Sequence, residues 1–253
     1  MSLFESLWVA LSTYSILPSP QFEWTERSTR YAICFFPAVG VLCGGALYLW
    51  QLVCRLLDAD ALLFAAVAVC LPLLLTGGIH MDGYMDTVDA LASHQDRARK
   101  LEILKDSHCG AFAILYCGMY LLACLGLWHA VYLMDLARVF CPAFVLSRSL
   151  SALCAVTMPN ARRAGMLCAF TEGVQKHRAT AAAVITALLS GALMVVLAPV
   201  AGGVGLCLGV LTLLYYRHLA MKQFGGVTGD TSGFFLQLCE LAVLAGVWIG
   251  GLL

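Results

Sequence analysis

Long apolar segments are the feature of this sequence that most restricts its fold. A helix needs roughly 20 apolar residues to cross the hydrocarbon layer of a bilayer. Seven stretches have about that length, at about 31–54, 60–79, 110–133, 138–157, 179–200, 203–219 and 234–253. Charged residues make up only 12% of the chain, whereas a soluble domain carries about 25%. We therefore predict an all-α fold: a polytopic transmembrane helical bundle that forms a single integral membrane domain over residues 1–253.

The N-terminal segment predicts a short helix outside these seven spans. Leu3, Leu7, Ala10 and Leu11 fall on one face of that helix. Such a helix would either lie on the membrane surface or pack against the bundle. The segment lacks the basic start and the small-residue cleavage site of a signal peptide, so we expect it to remain in the mature protein.

Basic residues are concentrated on one side of the predicted bundle. Twelve of the fifteen lysines and arginines lie in the N-terminal arm or in the loops at about 80–108, 158–178 and 217–232. Because cytoplasmic loops carry an excess of lysine and arginine, we predict a cytoplasmic (inner) membrane protein with these loops and the N-terminus inside. The formal net charge of zero argues against a nucleic-acid partner.

The stretch "GGIHMDGYMDTVDALASH", residues 77–94, carries three aspartates at helical spacing. Asp82, Asp86 and Asp89 would lie within about 60° of one another on a helix face. Their mutual repulsion favours a bound cation, and carboxylate ligands suit Mg²⁺, with Mn²⁺ as an alternative. Because Mg²⁺ is usually shared with substrate phosphates, the stripe predicts a diphosphate substrate. The alternative is a solvated acidic helix start, which the helix dipole also favours.

Two further polar segments fall on the same side of the bundle. In "LEILKDSHCGAFA", Lys105, Asp106 and Ser107 precede a span, where they would bind an anion or simply cap the helix. The glycine-rich "KQFGGVTGDTSG", residues 222–233, precedes the last span and predicts a phosphate-binding loop. The candidate ligands in that loop are Gly226, Thr228, Gly229 and Asp230. The candidate polar residues lie at one surface rather than at mid-membrane, which favours an enzyme over a transporter.

Arg148 lies near the middle of the fourth predicted span. A charge at that depth costs roughly 2.5–3.5 kcal/mol on insertion scales, so we expect the side chain to face the bundle interior. It would either contact a substrate phosphate or pair with Glu240, the acidic residue deep in the last span. The sequence leaves both roles open.

The three polar motifs resemble those of the cobalamin synthase (adenosylcobinamide-GDP ribazoletransferase) family. The matching stretches here are "GGIHMDGYMDTVDA", "LEILKDSHCGAFA" and "GGVTGDTSG", and "YSILPSP" and "RYAICFFPAVGVLCGGA" are also similar to family segments. The resemblance covers roughly 12–45, 76–113 and 224–240. Ala90 replaces a usual glycine, and Ile16 and His108 stand where the family often has arginine, so we assign no substrate contact to those two positions.

The resemblance implies the last assembly step of the cobalamin nucleotide loop. In that reaction a ribose hydroxyl of α-ribazole, or of its 5′-phosphate, attacks the β-phosphoryl group of adenosylcobinamide-GDP, and GMP leaves. Family members use Mg²⁺, which the resemblance assigns to Asp82, Asp86 and Asp89. One of these aspartates, or Asp106, would accept the proton. The implied partners are these small-molecule substrates and the lipid bilayer, and the chain could also form a homo-oligomer.

His80 lies at about 200° from Asp82 around the helix axis. It would contact the corrinoid or donate a hydrogen bond at the membrane interface, and the second role is the simpler one.

Two other functions remain as alternatives at this stage. A phosphotransferase of the CDP-alcohol type also uses an aspartate-rich site, but Gly83 follows the first aspartate here and the Ala-Arg pair and later D-x3-D are missing. A transporter would also contain several spans. Activity in detergent distinguishes an enzyme from a transporter, because transport requires a sealed vesicle.

Overall fold

The computed structural model describes residues 2–18, 20, 25, 29–106, 108–162 and 165–253. The described residues form α-helices and one 3₁₀ turn, Ala32–Phe35, without a β-strand. The helices are α1 (Ser2–Tyr14), α2 (Phe36–Leu56), α3 (Ala61–Thr76), α4 (Ile79–Ala92), α5 (Arg97–Ile103), α6 (Ala111–Leu133), α7 (Ala137–Phe140), α8 (Ala143–Thr157), α9 (Met166–Thr171), α10 (Lys176–Leu197), α11 (Pro199–Gln223) and α12 (Gly229–Gly251). The predicted all-α class is confirmed.

Six segments of the described chain are long and apolar enough to cross a membrane. They are Ala32–Leu56, Ala111–Leu133, Ala137–Thr157, Lys176–Leu197, Pro199–Gln223 and Gly229–Gly251. Each overlaps one of the predicted spans, with ends shifted by a few residues. Some neighbouring spans are joined by very short turns, and Ala198 alone separates α10 from α11. The chain is therefore a multi-pass membrane protein.

The predicted span at 60–79 is not one continuous spanning helix in the structure. α3 ends at Thr76, and α4 continues from it at an angle of 95°. Gly77 and Gly78 make this bend because both adopt positive φ angles, 63° and 77°, which glycine tolerates without a steric penalty. The pair α3–α4 is thus a broken segment, and α4 turns away from the spanning direction to pack against α12 and α6.

Helix α1 packs against the bundle, the second of the two roles that the sequence left open. Val9 and Ala10 are buried in a small cluster with Ala32 and Phe170, and the Tyr14 ring contacts the Phe36 ring at 4.6 Å between centroids. The predicted apolar face is only partly used, because Leu3 at the start of the helix is 57% exposed. The Tyr14 ring also stacks on His80 of α4 at 6.0 Å, so the C-terminal end of α1 lies beside α4.

Arg148 forms a buried ion pair with Glu240. The guanidinium Nη1 donates to Glu240 Oε1 at 2.6 Å, and the two side chains are 1% and 6% exposed. Ser147 Oγ donates to the same carboxylate oxygen at 2.9 Å. A charge inside the bundle requires such a partner, because an unpaired charge in a medium of low dielectric is strongly destabilised. The structure thus supports the pairing with Glu240, and the predicted contact of Arg148 with substrate phosphate is not retained.

Removing one partner of this pair should destabilise the bundle. Glu240→Gln leaves the Arg148 charge buried without compensation, and breaking a buried pair typically costs about 3–5 kcal/mol. We expect a lower unfolding temperature in detergent, and circular dichroism measures it. The exchanged double variant Arg148→Glu/Glu240→Arg restores opposite charges and should recover part of the loss. An unchanged unfolding temperature for Glu240→Gln would show that the pair contributes nothing to stability.

Candidate active site

A cavity of about 340 Å³ lies where the aspartate-bearing helix α4 meets the glycine-rich segment before α12. It is lined by residues of α1, the 3₁₀ turn, the start of α2, α4, α8, α9, the loop after α8 and the start of α12. Asp82 and Asp230 contribute carboxylates to the wall, Arg162 contributes a guanidinium, and Tyr14 and Phe36 contribute aromatic rings. Residues far apart in the sequence therefore share one enclosed space.

The contact between α4 and the first turn of α12 places the two carboxylate-bearing segments together. A Cβ atom on Gly83 would lie 2.8 Å from the carbonyl oxygen of Asp230, and one on Gly233 would lie 2.8 Å from that of His80. Real Cβ atoms do not approach so closely, so both helices need glycine at the crossing. The glycine that follows Asp82 in the motif thus has a packing function.

Burial, together with the neighbouring aspartates, raises the pKa of Asp86. Helix α4 is outside the six spanning segments, and Asp86 on it has a pKa raised to about 7. Burial is the largest cause, followed by the negative charges of Asp82, Asp230 and Asp89, while Arg162 acts in the opposite direction. Like charges close together in a partly buried region disfavour ionisation. A cation in this region would relieve the repulsion.

Asp89 does not point into the cavity; instead it caps the start of α6. Its Oδ2 accepts a hydrogen bond from the Gly110 N–H at 2.6 Å, and its Oδ1 accepts one from the Ala113 N–H at 2.8 Å. These are N–H groups that have no partner within the helix. The cap expected from Asp106 or Ser107 is thus supplied by Asp89.

These hydrogen bonds do not support the predicted role of Asp89 as a metal ligand, because both of its oxygens are engaged by the α6 backbone. Across the described ranges, no group of three or more His, Cys, Asp or Glu side chains is placed to hold a metal ion. The shared helix face was predicted correctly, but the neighbouring α6 engages Asp89. Mg²⁺ is usually bound by only one or two carboxylates together with substrate phosphates. Of the remaining carboxylates, Asp82 and Asp230 line the cavity, and both act electrostatically on Asp86.

Lys105 and Asp106 are surface residues and do not line the cavity. The Asp106 side chain is 57% exposed and accepts hydrogen bonds from the His108 backbone N–H at 3.0 Å and from its ring Nδ1–H at 2.6 Å. These hydrogen bonds hold the pKa of Asp106 below its usual value. The predicted roles of Lys105 in substrate binding and of Asp106 in proton transfer are not supported by these positions. Ser107 lies outside the described residues.

The glycine-rich loop is held by the chain segment that follows α8. The Val227 N–H donates to the Pro159 carbonyl and the Ala161 N–H donates to the Val227 carbonyl, both at 2.9 Å. Gly226 allows this approach, because a Cβ there would lie 2.2 Å from the Pro159 oxygen. Gly226 thus contributes to packing rather than forming an open phosphate cradle.

Thr228 and Thr231 close the N-terminal end of α12 with a capping box. Thr228 Oγ1 accepts from the Thr231 N–H at 3.1 Å, and Thr231 Oγ1 accepts from the Thr228 N–H at 2.9 Å. The predicted ligand role of the Thr228 hydroxyl is corrected to helix capping, although Thr228 does border the cavity. Gly229 and Asp230 also line it, and a Cβ on Gly229 would meet open space.

Arg162 is the site residue that the sequence did not reveal. Its Nη1 donates to Asp230 Oδ2 at 3.1 Å and its Nη2 donates to the Leu101 carbonyl at 3.2 Å. Its buried Nε has no partner among the described residues. The only signal in the sequence was a basic residue in a cytoplasmic-type loop. The backbone bridge between that loop and Val227 brings it to Asp230.

His80 is buried in the wall of the cavity. The imidazole is 5% exposed and stacks on Tyr14 at 6.0 Å between centroids, with Phe36 edge-on at 5.6 Å. Burial, with a smaller effect of the Arg148 charge, lowers the pKa of His80 to about 3. The ring is therefore neutral, and its Nε2 has no hydrogen-bond partner in the described chain.

Comparisons with known proteins identify the family of this sequence. The family model described as cobalamin-5-phosphate synthase matches residues 6–248. The adenosylcobinamide-GDP ribazoletransferase of Lachnoclostridium phytofermentans is 41% identical over 241 residues, which cover 95% of this chain and 92% of that protein. The protein of the same name from Desulfitobacterium hafniense is 34% identical over 254 residues, or 98% of each chain. No solved structure shows a significant match.

The capping role of Asp89 can be tested separately from catalysis. Asp89→Ala removes both acceptors of the α6 N-terminus, and loss of an N-cap costs about 0.5–2 kcal/mol. We expect a lower unfolding temperature and faster hydrogen exchange at the amides of Gly110 and Ala113. Asp89→Asn retains one acceptor oxygen and should show a smaller effect. As a control, Asp106→Ala should leave both amides unchanged; unchanged exchange in Asp89→Ala as well would contradict the cap.

Proposed function

This chain belongs to the cobalamin-5-phosphate synthase family, and on that premise we propose that it is an adenosylcobinamide-GDP ribazoletransferase. A ribose hydroxyl of α-ribazole, or of its 5′-phosphate, attacks the phosphoryl group attached to cobinamide. The new phosphorus–oxygen bond replaces the anhydride bond of the GDP unit, and GMP leaves. The product is adenosylcobalamin or its 5′-phosphate.

The charged groups of the cavity are the observation on which the proposed chemistry depends. Asp82, Asp230 and Arg162 line the same cavity, and the nearby Asp86 has a raised pKa because of burial and neighbouring carboxylates. A cavity with excess negative charge repels a diphosphate unless a divalent cation accompanies it. The site therefore suits a substrate that arrives as a metal–diphosphate complex.

Asp82 and Asp86 are the residues that we assign to Mg²⁺, with Mn²⁺ as the alternative ion. When bound, the ion would offset the negative charge that develops on the bridging oxygen as GMP leaves. Asp89 has no part in this assignment, because its two oxygens are engaged by the α6 backbone. The assignment keeps two of the three predicted ligands.

Arg162 and Asp230 are assigned to the transferred phosphoryl group and the attacking hydroxyl. Arg162 can donate hydrogen bonds to phosphate oxygens from a position fixed by Asp230 and the Leu101 carbonyl. Asp230 lines the cavity and can accept the proton of the hydroxyl. Asp106 is a poor proton acceptor, because it is exposed and its pKa is lowered. Positioning and electrostatic stabilisation supply most of the rate in such transfers.

We also propose that the site faces the cytoplasm from the cytoplasmic (inner) membrane. The cavity lies at the bundle end that carries the basic loops, including Arg97, Arg99 and Arg162. The positive-inside rule then assigns this end, and with it the N-terminus, to the cytoplasm. Soluble nucleotide substrates would reach the site directly from that compartment.

The direct test of the function is turnover by purified protein in detergent. Adenosylcobinamide-GDP, Mg²⁺ and either α-ribazole or its 5′-phosphate are supplied, and GMP and the corrinoid product are separated by chromatography. We expect GMP and product in equal amounts, and faster release with one of the two acceptors. Absence of GMP with both acceptors from folded protein would contradict the proposal.

The metal assignment predicts that substitution of Asp82 or Asp86 lowers activity much more than substitution of the exposed Asp106. Asp82→Asn and Asp86→Asn should each lower kcat/KM by about 100-fold or more, the usual scale for losing a major electrostatic contribution. Asp106→Asn, which changes an exposed carboxylate outside the cavity, should stay within about twofold because surface substitutions are usually mild. Near-normal Mg²⁺-dependent turnover in folded Asp82→Asn or Asp86→Asn would overturn the assignment.

The raised pKa of Asp86 predicts that the metal requirement depends on pH. Below about pH 7 this carboxyl is protonated in the metal-free protein, and a metal ligand must lose its proton first. The Mg²⁺ concentration for half-maximal turnover should therefore fall between pH 6 and pH 8. In Asp86→Asn this pH dependence should disappear. A Mg²⁺ requirement that is constant across this range in the unsubstituted protein would contradict the ligand role.

A further inference from the structure

We infer that the cavity binds the acceptor nucleoside and that His80 Nε2 forms a hydrogen bond with it. This inference rests on the proposed function, which supplies the two substrates but does not say which of them the cavity holds. It makes His80 a residue that selects the acceptor. Asp82 and Arg162 then act on the phosphoryl group that the acceptor attacks, and Asp230 acts on the attacking hydroxyl.

The size of the cavity favours the smaller substrate. Ligand cavities usually range from about 300 to 1,000 Å³, and this one has about 340 Å³. A nucleoside is of that scale, whereas a corrinoid macrocycle with its GDP unit is several times larger. The bulk of the corrinoid must therefore remain outside the cavity while its diphosphate reaches the carboxylates.

The lining has two chemical parts that match the two parts of α-ribazole. Tyr14, Phe36 and Ile33 provide an aromatic and aliphatic wall suited to a flat, apolar base. Asp230 provides a polar group for a ribose hydroxyl, next to the Arg162 guanidinium that we assign to the phosphoryl group. The corrinoid diphosphate alone would leave the apolar wall without a function.

His80 offers one unsatisfied polar atom inside this largely apolar wall. The side chain is 5% exposed, and Nε2 is buried without a partner in the described part of the chain. A buried polar atom without a partner is destabilising, so its retention calls for an explanation such as a ligand. The rings of Tyr14 and Phe36 restrict the imidazole plane, and the Gly233 contact restricts the backbone. A ring held in this way can recognise one polar atom at a defined position.

The experiment compares His80→Phe with the unsubstituted protein, using each substrate in turn. Phenylalanine keeps an aromatic ring and removes the hydrogen bond. We expect the KM for α-ribazole to rise about tenfold, the scale of one lost hydrogen bond, while the KM for adenosylcobinamide-GDP stays within about twofold. Binding of α-ribazole without the second substrate, measured by calorimetry, should weaken by the same factor.

Three variants separate recognition from a general loss of structure. His80→Gln retains a hydrogen-bonding group and should recover much of the affinity for α-ribazole. His129→Phe makes the same chemical change near the far end of α6 and should alter neither KM. If His80→Phe does not fold, Tyr14→Leu removes the stacking ring and should weaken α-ribazole binding selectively.

The outcomes distinguish this inference from the proposed function. If the unsubstituted protein releases GMP but His80→Phe binds α-ribazole normally, the inference is wrong and the function stands. An equal rise of both KM values, or a fall in kcat alone, would also overturn it. If the unsubstituted protein neither releases GMP nor binds α-ribazole, the proposed function is wrong, and the inference that rests on it is wrong as well.

Discussion

The backbone contact between α4 and the start of α12 is the constraint on which the candidate site depends. Because Gly83 has no side chain, α4 can approach the backbone of Asp230 directly. This approach places Asp82 and Asp230 on one cavity and concentrates negative charge near Asp86. The electrostatic strain of the site is thus a consequence of helix packing. The cation and phosphate chemistry that we propose would relieve that strain.

The bend between α3 and α4 makes this contact geometrically possible. A straight continuation of α3 would carry the aspartates away from the bundle end, but the 95° turn lays α4 against α12. The turn remains hydrogen-bonded, because the Gly78 N–H donates to the Leu73 carbonyl at 2.9 Å and the Ile16 N–H donates to the Leu75 carbonyl at the same distance. These hydrogen bonds matter near a bilayer, where a backbone group without a hydrogen-bond partner is strongly destabilising. The N-terminal segment therefore contributes to the bend as well as to the cavity wall.

The structure contains two ion pairs with different roles: one stabilises the bundle interior, and the other lies at the cavity. Arg148 and Glu240 neutralise one another deep in the bundle, so neither is available to a substrate. Arg162 and Asp230 form a longer contact, 3.1 Å, between side chains that are 22% and 26% exposed at the cavity. Partial exposure leaves both groups accessible to a ligand. Similar ion pairs thus have different consequences because their surroundings differ.

The sequence by itself determined six of the seven predicted spans, the positions of the polar motifs between them, and the family to which those motifs belong. These features depend on local composition and spacing, which need no knowledge of distant contacts. Tertiary structure alone decided that Asp89 caps α6, that Arg148 pairs with Glu240, and that Arg162 joins the cavity. Helical periodicity fixes the direction of a side chain but not the neighbour that it meets. Those neighbours are set by packing between segments that the sequence keeps far apart.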